Sequence, residues 1–369
     1  MKLISLFIAT ILSLNVYAQG ENNGFEFKDL TEINVTSVKD QQSTGTCWSF
    51  ATTSFIEAEL LRMNNNVYDL SEMYFARFAY EEKGQDFVRY HGKINFGEGG
   101  QAHDVMNQID KHGFVTQEAY EGNEYNPGSY RHAEMSRILQ AILDVVITKP
   151  NRKLTPVWFD AYKAILDTYM GEVPEKLNVN GEMLHPKEFV KKEKFNTTDY
   201  IELTSFTHHP FYEQVILEVP DNWSNDSYYN IPLNDLMEVM KNSLKEGYTF
   251  VWDGDVGFDG FEHKKNVAIV PLGEFDFSGP KEEKIIDAIY RQLEFDNLTT
   301  TDDHLMHITA LSEDQNGTIY YKTKNSWGDD SNQMGGYLYM SESYMRLNTI
   351  AIMVHKDVIP EKIKDKLGM

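Results

Sequence analysis

Val38-Lys39-Asp40-Gln41-Gln42-Ser43-Thr44-Gly45-Thr46-Cys47-Trp48-Ser49-Phe50-Ala51 is the stretch on which the fold turns, because the only cysteine of the chain sits inside it. A polar, glycine-bearing loop runs up to Cys47. An apolar stretch to Leu61 follows, with Trp48, Ala51, Phe55, Ala58 and Leu61 at helical spacing. That predicts a sulfur at a helix N-terminus, where unpaired backbone N–H groups and the helix dipole favour the thiolate, the nucleophilic form. A structural cysteine behaves as a small buried hydrophobe and needs no such loop. The thiol reads as reactive.

Upstream, Lys2, an apolar run from Leu3 to about Val16, and Val16-Tyr17-Ala18 read as a signal peptide over residues 1–18, removed after Ala18. The mature protein is expected to be exported, either periplasmic or secreted. The apolar run is too short for a membrane span, and no later segment approaches the roughly 18 apolar residues one needs, so no membrane insertion of the mature form is expected. A lone cysteine makes no intramolecular disulfide, so stability has to come from the core. At 369 residues and 41% apolar content, the chain has ample material for one. Its net charge of −23 repels phosphate backbones and anionic membrane surfaces, which argues against nucleic-acid binding.

Residues 19–130 read as mainly helical. Asn64-Asn65-Asn66 ends the Cys47 helix, Ser71 starts a second with Glu72 in its first turn, and Gly97-Glu98-Gly99-Gly100-Gln101 is a glycine-dense loop before a helix from Ala102 to His112. Residues 131–198 add two helical patterns as an insertion. From 199 to 360 the texture is strand-rich, with an insertion at about 258–303, and 361–369 form a tail. The clearest hairpin runs from His307-Ile308-Thr309-Ala310-Leu311 through Asn316-Gly317 into Ile319 to Asn325, with Gly336 to Met340 alongside.

A cysteine nucleophile needs a base within hydrogen-bond reach, and the base needs a third group to fix its tautomer. His307 is the expected base, in an apolar strand that the hairpin brings beside Asn325. The Asn325 amide suits the orienting role, with Trp327 shielding that bond from water. Backbone N–H of Cys47 and the side chain of Gln41 are the expected oxyanion donors. No metal is expected: Asp253-Gly254-Asp255-Val256-Gly257-Phe258-Asp259 departs from calcium-loop spacing and reads as a strand end with solvated carboxylates, and His208-His209 lacks partners at ligand spacing.

Taken together, the Gln41 to Ala51 block, Leu70-Ser71-Glu72, Gly99-Gly100, His307 and Asn325-Ser326-Trp327-Gly328 resemble the papain-like cysteine peptidases. Asp255-Val256-Gly257, Arg291 to Asp296, Thr301-Asp302-Asp303-His304 and Val354-His355-Lys356 resemble the bleomycin hydrolase or aminopeptidase C branch. The resemblance implies an α+β, two-lobed fold with helical insertions: a helical lobe carries the cysteine, and an antiparallel, barrel-like lobe carries the histidine and asparagine. It implies Cys47 as nucleophile, His307 as base, Asn325 as orienter, Gln41 as oxyanion donor and Gly99 and Gly100 as the glycine pair against which substrate backbone runs. It also implies peptide substrates, no cofactor and, in this branch, hexameric rings. Aminopeptidase action is expected. Endopeptidase or processing action is the alternative, because the tail from Glu361 is short for the branch's cleft-filling arm. A non-catalytic peptide-binding protein is the alternative of a different class, and a missing catalytic residue would be its mark.

Overall fold

Helix starts and stops follow from local capping. The computed structural model describes residues 24–149 and 152–369, so the expected signal peptide lies outside the described residues. Helix α1 (Cys47–Asn64) ends where Asn65 turns left-handed at φ 56° and its N–H bonds Leu61 O. Helix α2 (Glu72–Arg89) starts at Ser71, whose hydroxyl accepts the Tyr74 N–H. Helix α3 (Ala102–His112) has a capping box in which the Asp104 carboxylate accepts the Gln101 N–H, and it stops at Gly113.

Phe55, Ile56 and Leu60 of α1 pack with Met73 and Phe75 of α2 and Val105 and Ile109 of α3 in one core. Helices α4 (Ala133–Thr148), α5 (Trp158–Met170) and α6 (Pro186–Glu193) extend it through Leu139, Leu143, Tyr162, Leu166 and Phe189. The Tyr162 ring lies over Gly84, where a Cβ would come within 2.7 Å, and its hydroxyl donates to Tyr80 O. The insertion thus shares the core of the helical lobe.

Among the described residues one large sheet forms the other lobe. Strand Phe250–Gly254 runs between Thr349–His355 and His304–Glu313, and the sheet continues through Ile319–Lys324 and Tyr337–Ser341, all antiparallel. Two pairings depart from the antiparallel expectation: Tyr337–Ser341 with Val267–Ala268, and Tyr200–Thr204 with Ser227–Asn230. The sheet runs from strand Glu213–Ile216 at one edge to Phe261–Glu262 at the other and stays open, without closing into a barrel.

Strand alternation splits the sheet residues between two cores. Phe250, Trp252, Met306, Ile308, Ile352 and Val354 pack with helix α7 (Leu233–Lys245). Val251, Leu305 and Met353 face the other way and join the core of α1. Helix α1 therefore lies on the sheet, with its N-terminal Cys47 near the start of the His304 strand.

Candidate active site

The Asn325 amide organises the site. Its Oδ1 accepts the Ser326 backbone N–H at 2.8 Å, which identifies that atom as the oxygen, and His304 Nε2 lies 2.8 Å from the same oxygen. An oxygen already accepting one hydrogen bond requires a donor from the ring, so the His304 proton sits on Nε2 and Nδ1 is bare. A bare Nδ1 is what a general base needs. On its other side the Asn325 amide nitrogen lies 3.4 Å from His263 Nδ1, which holds the amide in one orientation. Trp327 covers the arrangement, its ring 5.0 Å from His304 and 4.8 Å from His263.

His307 is not part of this set. It stands opposite Lys324 in the hairpin, and its Nδ1 meets the Ser54 hydroxyl at 2.9 Å in the middle of α1. Residues three apart on a strand point to opposite faces. In an antiparallel hairpin the start of one strand meets the end of the other: His304 opens its strand and Asn325 follows the last residue of the returning one. The place beside the Asn325 amide, expected of His307, is therefore held by His304. Burial, with Lys324 adding to it, pushes the His307 ring well below the usual histidine value, and its Nε2 is buried without a partner.

The backbone N–H of Leu305, the residue after His304, lies close enough to the Cys47 thiol to favour its deprotonated form. Cys47 is the first residue of α1, as expected, but the thiolate is not favoured. Burial first, then the Asp221, Asp302 and Asp253 carboxylates, push the thiol up to about 12 against the pull of the Leu305 N–H. Only 8% of the residue is exposed, and the partial charge of a helix end does not offset that desolvation together with nearby carboxylates. Burial likewise pulls His304 down to about 4, opposed by its bond to Asn325. Burial thus disfavours the charged form of both groups.

Gln41 is buried, with both ends of its side-chain amide engaged. Its Oε1 accepts the Ser326 hydroxyl at 2.6 Å and its Nε2 donates one proton to Thr44 O at 2.8 Å, which leaves the second amide proton for another acceptor. The Cys47 N–H, first in its helix, has no carbonyl one turn back to bond. Gly99 and Gly100 are tightly overlaid. A Cβ on Gly99 would lie 1.9 Å from the Asp221 carboxylate, and one on Gly100 would meet the Trp48 ring at 3.0 Å. The Trp48 indole N–H donates to Glu98 O, which ties this loop to the helix of the nucleophile.

Two expectations about polar clusters need correcting. Asp253 and Asp255 are buried, not solvated; Asp255 Oδ2 accepts the Thr301 N–H at 2.6 Å and the Thr301 hydroxyl at 3.1 Å. His208 and His209 do have a partner, since Glu218 Oε2 lies 3.2 and 2.9 Å from their Nε2 atoms. Gln292 Oε1 is taken by the Thr207 N–H, so its amide N–H is what meets His208 Nδ1. The His208 proton then sits on Nε2 and points at Glu218, the tautomer of a hydrogen-bonded cluster, whereas metal ligation at Nε2 needs that nitrogen bare.

Residues 174–369 match the Peptidase C1-like family, and residues 23–153 match the papain family of cysteine proteases. The chain belongs to the peptidase C1-like family. Among its relatives, Aminopeptidase G of Lactobacillus delbrueckii subsp. lactis is 22% identical over 92% of this chain and 85% of that protein. Aminopeptidase C of Listeria innocua is 24% identical over 90% of this chain and 83% of that protein. The fold of PepW from Lactobacillus rhamnosis superposes with a TM-score of 0.73 at 17% identity, over 92% of this chain and 84% of that one. The protein is a papain-like cysteine peptidase of the bleomycin hydrolase or aminopeptidase C branch.

Proposed function

We propose that this peptidase works from Cys47 through a thioester, with His304 as its base. The observation that carries the reading is the His304 Nε2 to Asn325 Oδ1 bond at 2.8 Å, on the residue preceding Leu305, whose N–H acts on the Cys47 thiol. The thiol proton passes to His304 Nδ1 as sulfur attacks the peptide carbonyl. The oxyanion faces the Cys47 N–H and the free Gln41 amide proton, and the leaving amine takes the proton back from His304. Water, deprotonated by the same ring, then hydrolyses the thioester. Export follows from residues 1–18, and no helix among the described residues is long and apolar enough to cross a membrane.

Aminopeptidase action is the preferred mode, as in the names of the relatives. Endopeptidase action is the second reading. It is favoured by helix Glu361–Leu367, which is fastened to α7 by the Lys362–Glu238 pair at 2.6 Å and buries Ile363 in the sheet core, so its contacts are not with the surroundings of Cys47. The test compares the mature protein on peptides of equal sequence with free and acetylated amino ends. Faster turnover of the free end is expected, and equal turnover would refute the aminopeptidase mode.

A further inference from the structure

The catalytic centre accounts for Cys47, His304, Asn325 and Gln41 and leaves a pair of carboxylates beside them without a role. Asp253 stands across the ladder from Leu305, whose N–H acts on the Cys47 thiol. Val251, two residues earlier, lies in the core of α1, whereas Trp252 lies in the opposite core, so alternation turns Asp253 to the side of the sheet that bears Cys47. Asp253 is 3% exposed, and no donor outside the carboxyl pair meets either of its oxygens. The Asp302 carboxyl lies within proton-sharing reach of it and accepts the Gln101 amide N–H at 2.7 Å. Asp302 is partly exposed, so the pair opens to solvent on that side.

The neighbouring cations are committed elsewhere. Lys83 donates to the Gly97 and Gly99 carbonyls and lies 5.5 Å from the centre of the Trp223 ring, and His103 is bound to Glu202 at 2.6 Å. After burial, the strongest influences on Asp253 come from Asp302, Glu202 and Asp221, all acidic. Two carboxyls this close hold one proton between them, and a buried carboxylate without a counter-charge is a poor end state unless something arrives to supply one. A cluster of one charge sign also concentrates ligands of the other.

We propose that Asp253 and Asp302 form a cation subsite of this peptidase, which takes an ammonium or guanidinium group of the substrate on the residue bearing the scissile carbonyl or on its neighbour. The cation replaces the shared proton, which leaves to solvent. Both an α-ammonium at the amino end of a peptide and a lysine or arginine side chain have this chemistry. The inference rests on the peptidase reading of Cys47.

The test uses the full mature chain and four peptides: acetylated with norleucine before the scissile bond, the same with a free amino end, and acetylated with lysine in the last or next-to-last position. At least one cationic peptide is expected to exceed the acetylated neutral one in kcat/KM by about tenfold or more. In the Asp253→Asn, Asp302→Asn double variant that ratio is expected to fall toward one. Gain for the free amino end alone assigns the subsite to the α-ammonium, and gain for lysine alone assigns it to a side chain. A ratio near one in the wild type, or a ratio kept in the double variant, overturns the proposal. Asp302→Asn alone, on the exposed side of the pair, gives the same readout if the double variant does not fold. If no peptide is turned over, the peptidase reading fails separately. Calorimetric binding of the same peptides to Cys47→Ala, with and without Asp253→Asn, then decides the subsite by whether the cationic preference depends on Asp253.

Discussion

His304 and His307 lie three residues apart on one strand, both buried, both pulled by burial below the ordinary histidine value, and their surroundings separate them completely. His304 is held by an amide oxygen that fixes its proton on Nε2, lies under Trp327, and precedes Leu305, whose N–H acts on the Cys47 thiol. His307 meets a serine hydroxyl in the middle of α1, beside Lys324. Burial alone therefore says nothing about catalysis. What sets His304 apart is a partner that dictates its tautomer.

The comparison breaks most sharply at His304 itself. His304→Ala is expected to lower kcat/KM by about 10³-fold or more with the fold retained, as judged by unchanged circular dichroism. Activity close to wild type would return the role of base to another histidine. Removing the orienting group is a smaller blow: Asn325→Ala leaves the ring in place without its tautomer lock, and a loss on the order of 10²-fold in kcat is expected from steady-state kinetics. Unchanged kcat in that variant would mean the amide does not orient the base.

The smallest effect belongs to the other ring. His307→Val is expected to keep peptidase activity within about threefold and to change stability by about 1 kcal/mol, because the Ser54 hydroxyl keeps its bond to Lys324 Nζ at 2.7 Å. Its signature is in pH. The folded state holds His307 neutral, with burial and Lys324 both depressing its affinity for protons, while the unfolded chain protonates it below the ordinary value of 6.5. The stability it contributes is thus present above about 6.5 and is lost as pH falls below it. Melting temperatures measured between pH 7 and 4 should decline less steeply in the variant than in the wild type, and parallel curves would remove His307 from the acid response.

Much of this was legible in the sequence where a local rule decides. Asn65, Ser71 and Gly113 mark helix ends as caps do, and the helices of the first lobe begin and end where those residues predict. The Gln41 side chain is bonded to Ser326, next to Asn325, and Trp327 lies against His304. The contact to Asn325 was expected of His307 because its apolar neighbours advertise a strand, whereas His304, which makes that contact, sits at the strand's first residue behind Asp302 and Asp303, where the residues read as loop. The usable signal was register: counting the hairpin outward from Asn316-Gly317 puts strand start against strand end. The burial of Asp253 had no such signal, since it depends on a strand more than fifty positions away in the chain, Thr349–His355 on one side and His304–Glu313 on the other. His263, which steadies Asn325, is equally remote from it in sequence.

The bonds between the Gln41 loop and the Asn325 loop reach further than the chemistry. Gln41 N–H donates to Ser326 O, Gly328 N–H donates to Lys39 O, Asp40 bridges Trp327, and the Ser326 hydroxyl closes on the Gln41 side chain. The two lobes are therefore riveted along one edge of the groove, and that edge is the one that holds the oxyanion donor and the amide orienting the base. The Gln101–Asp302 and His103–Glu202 bonds tie the same two lobes elsewhere, so the residues around Cys47 are held from more than one flank.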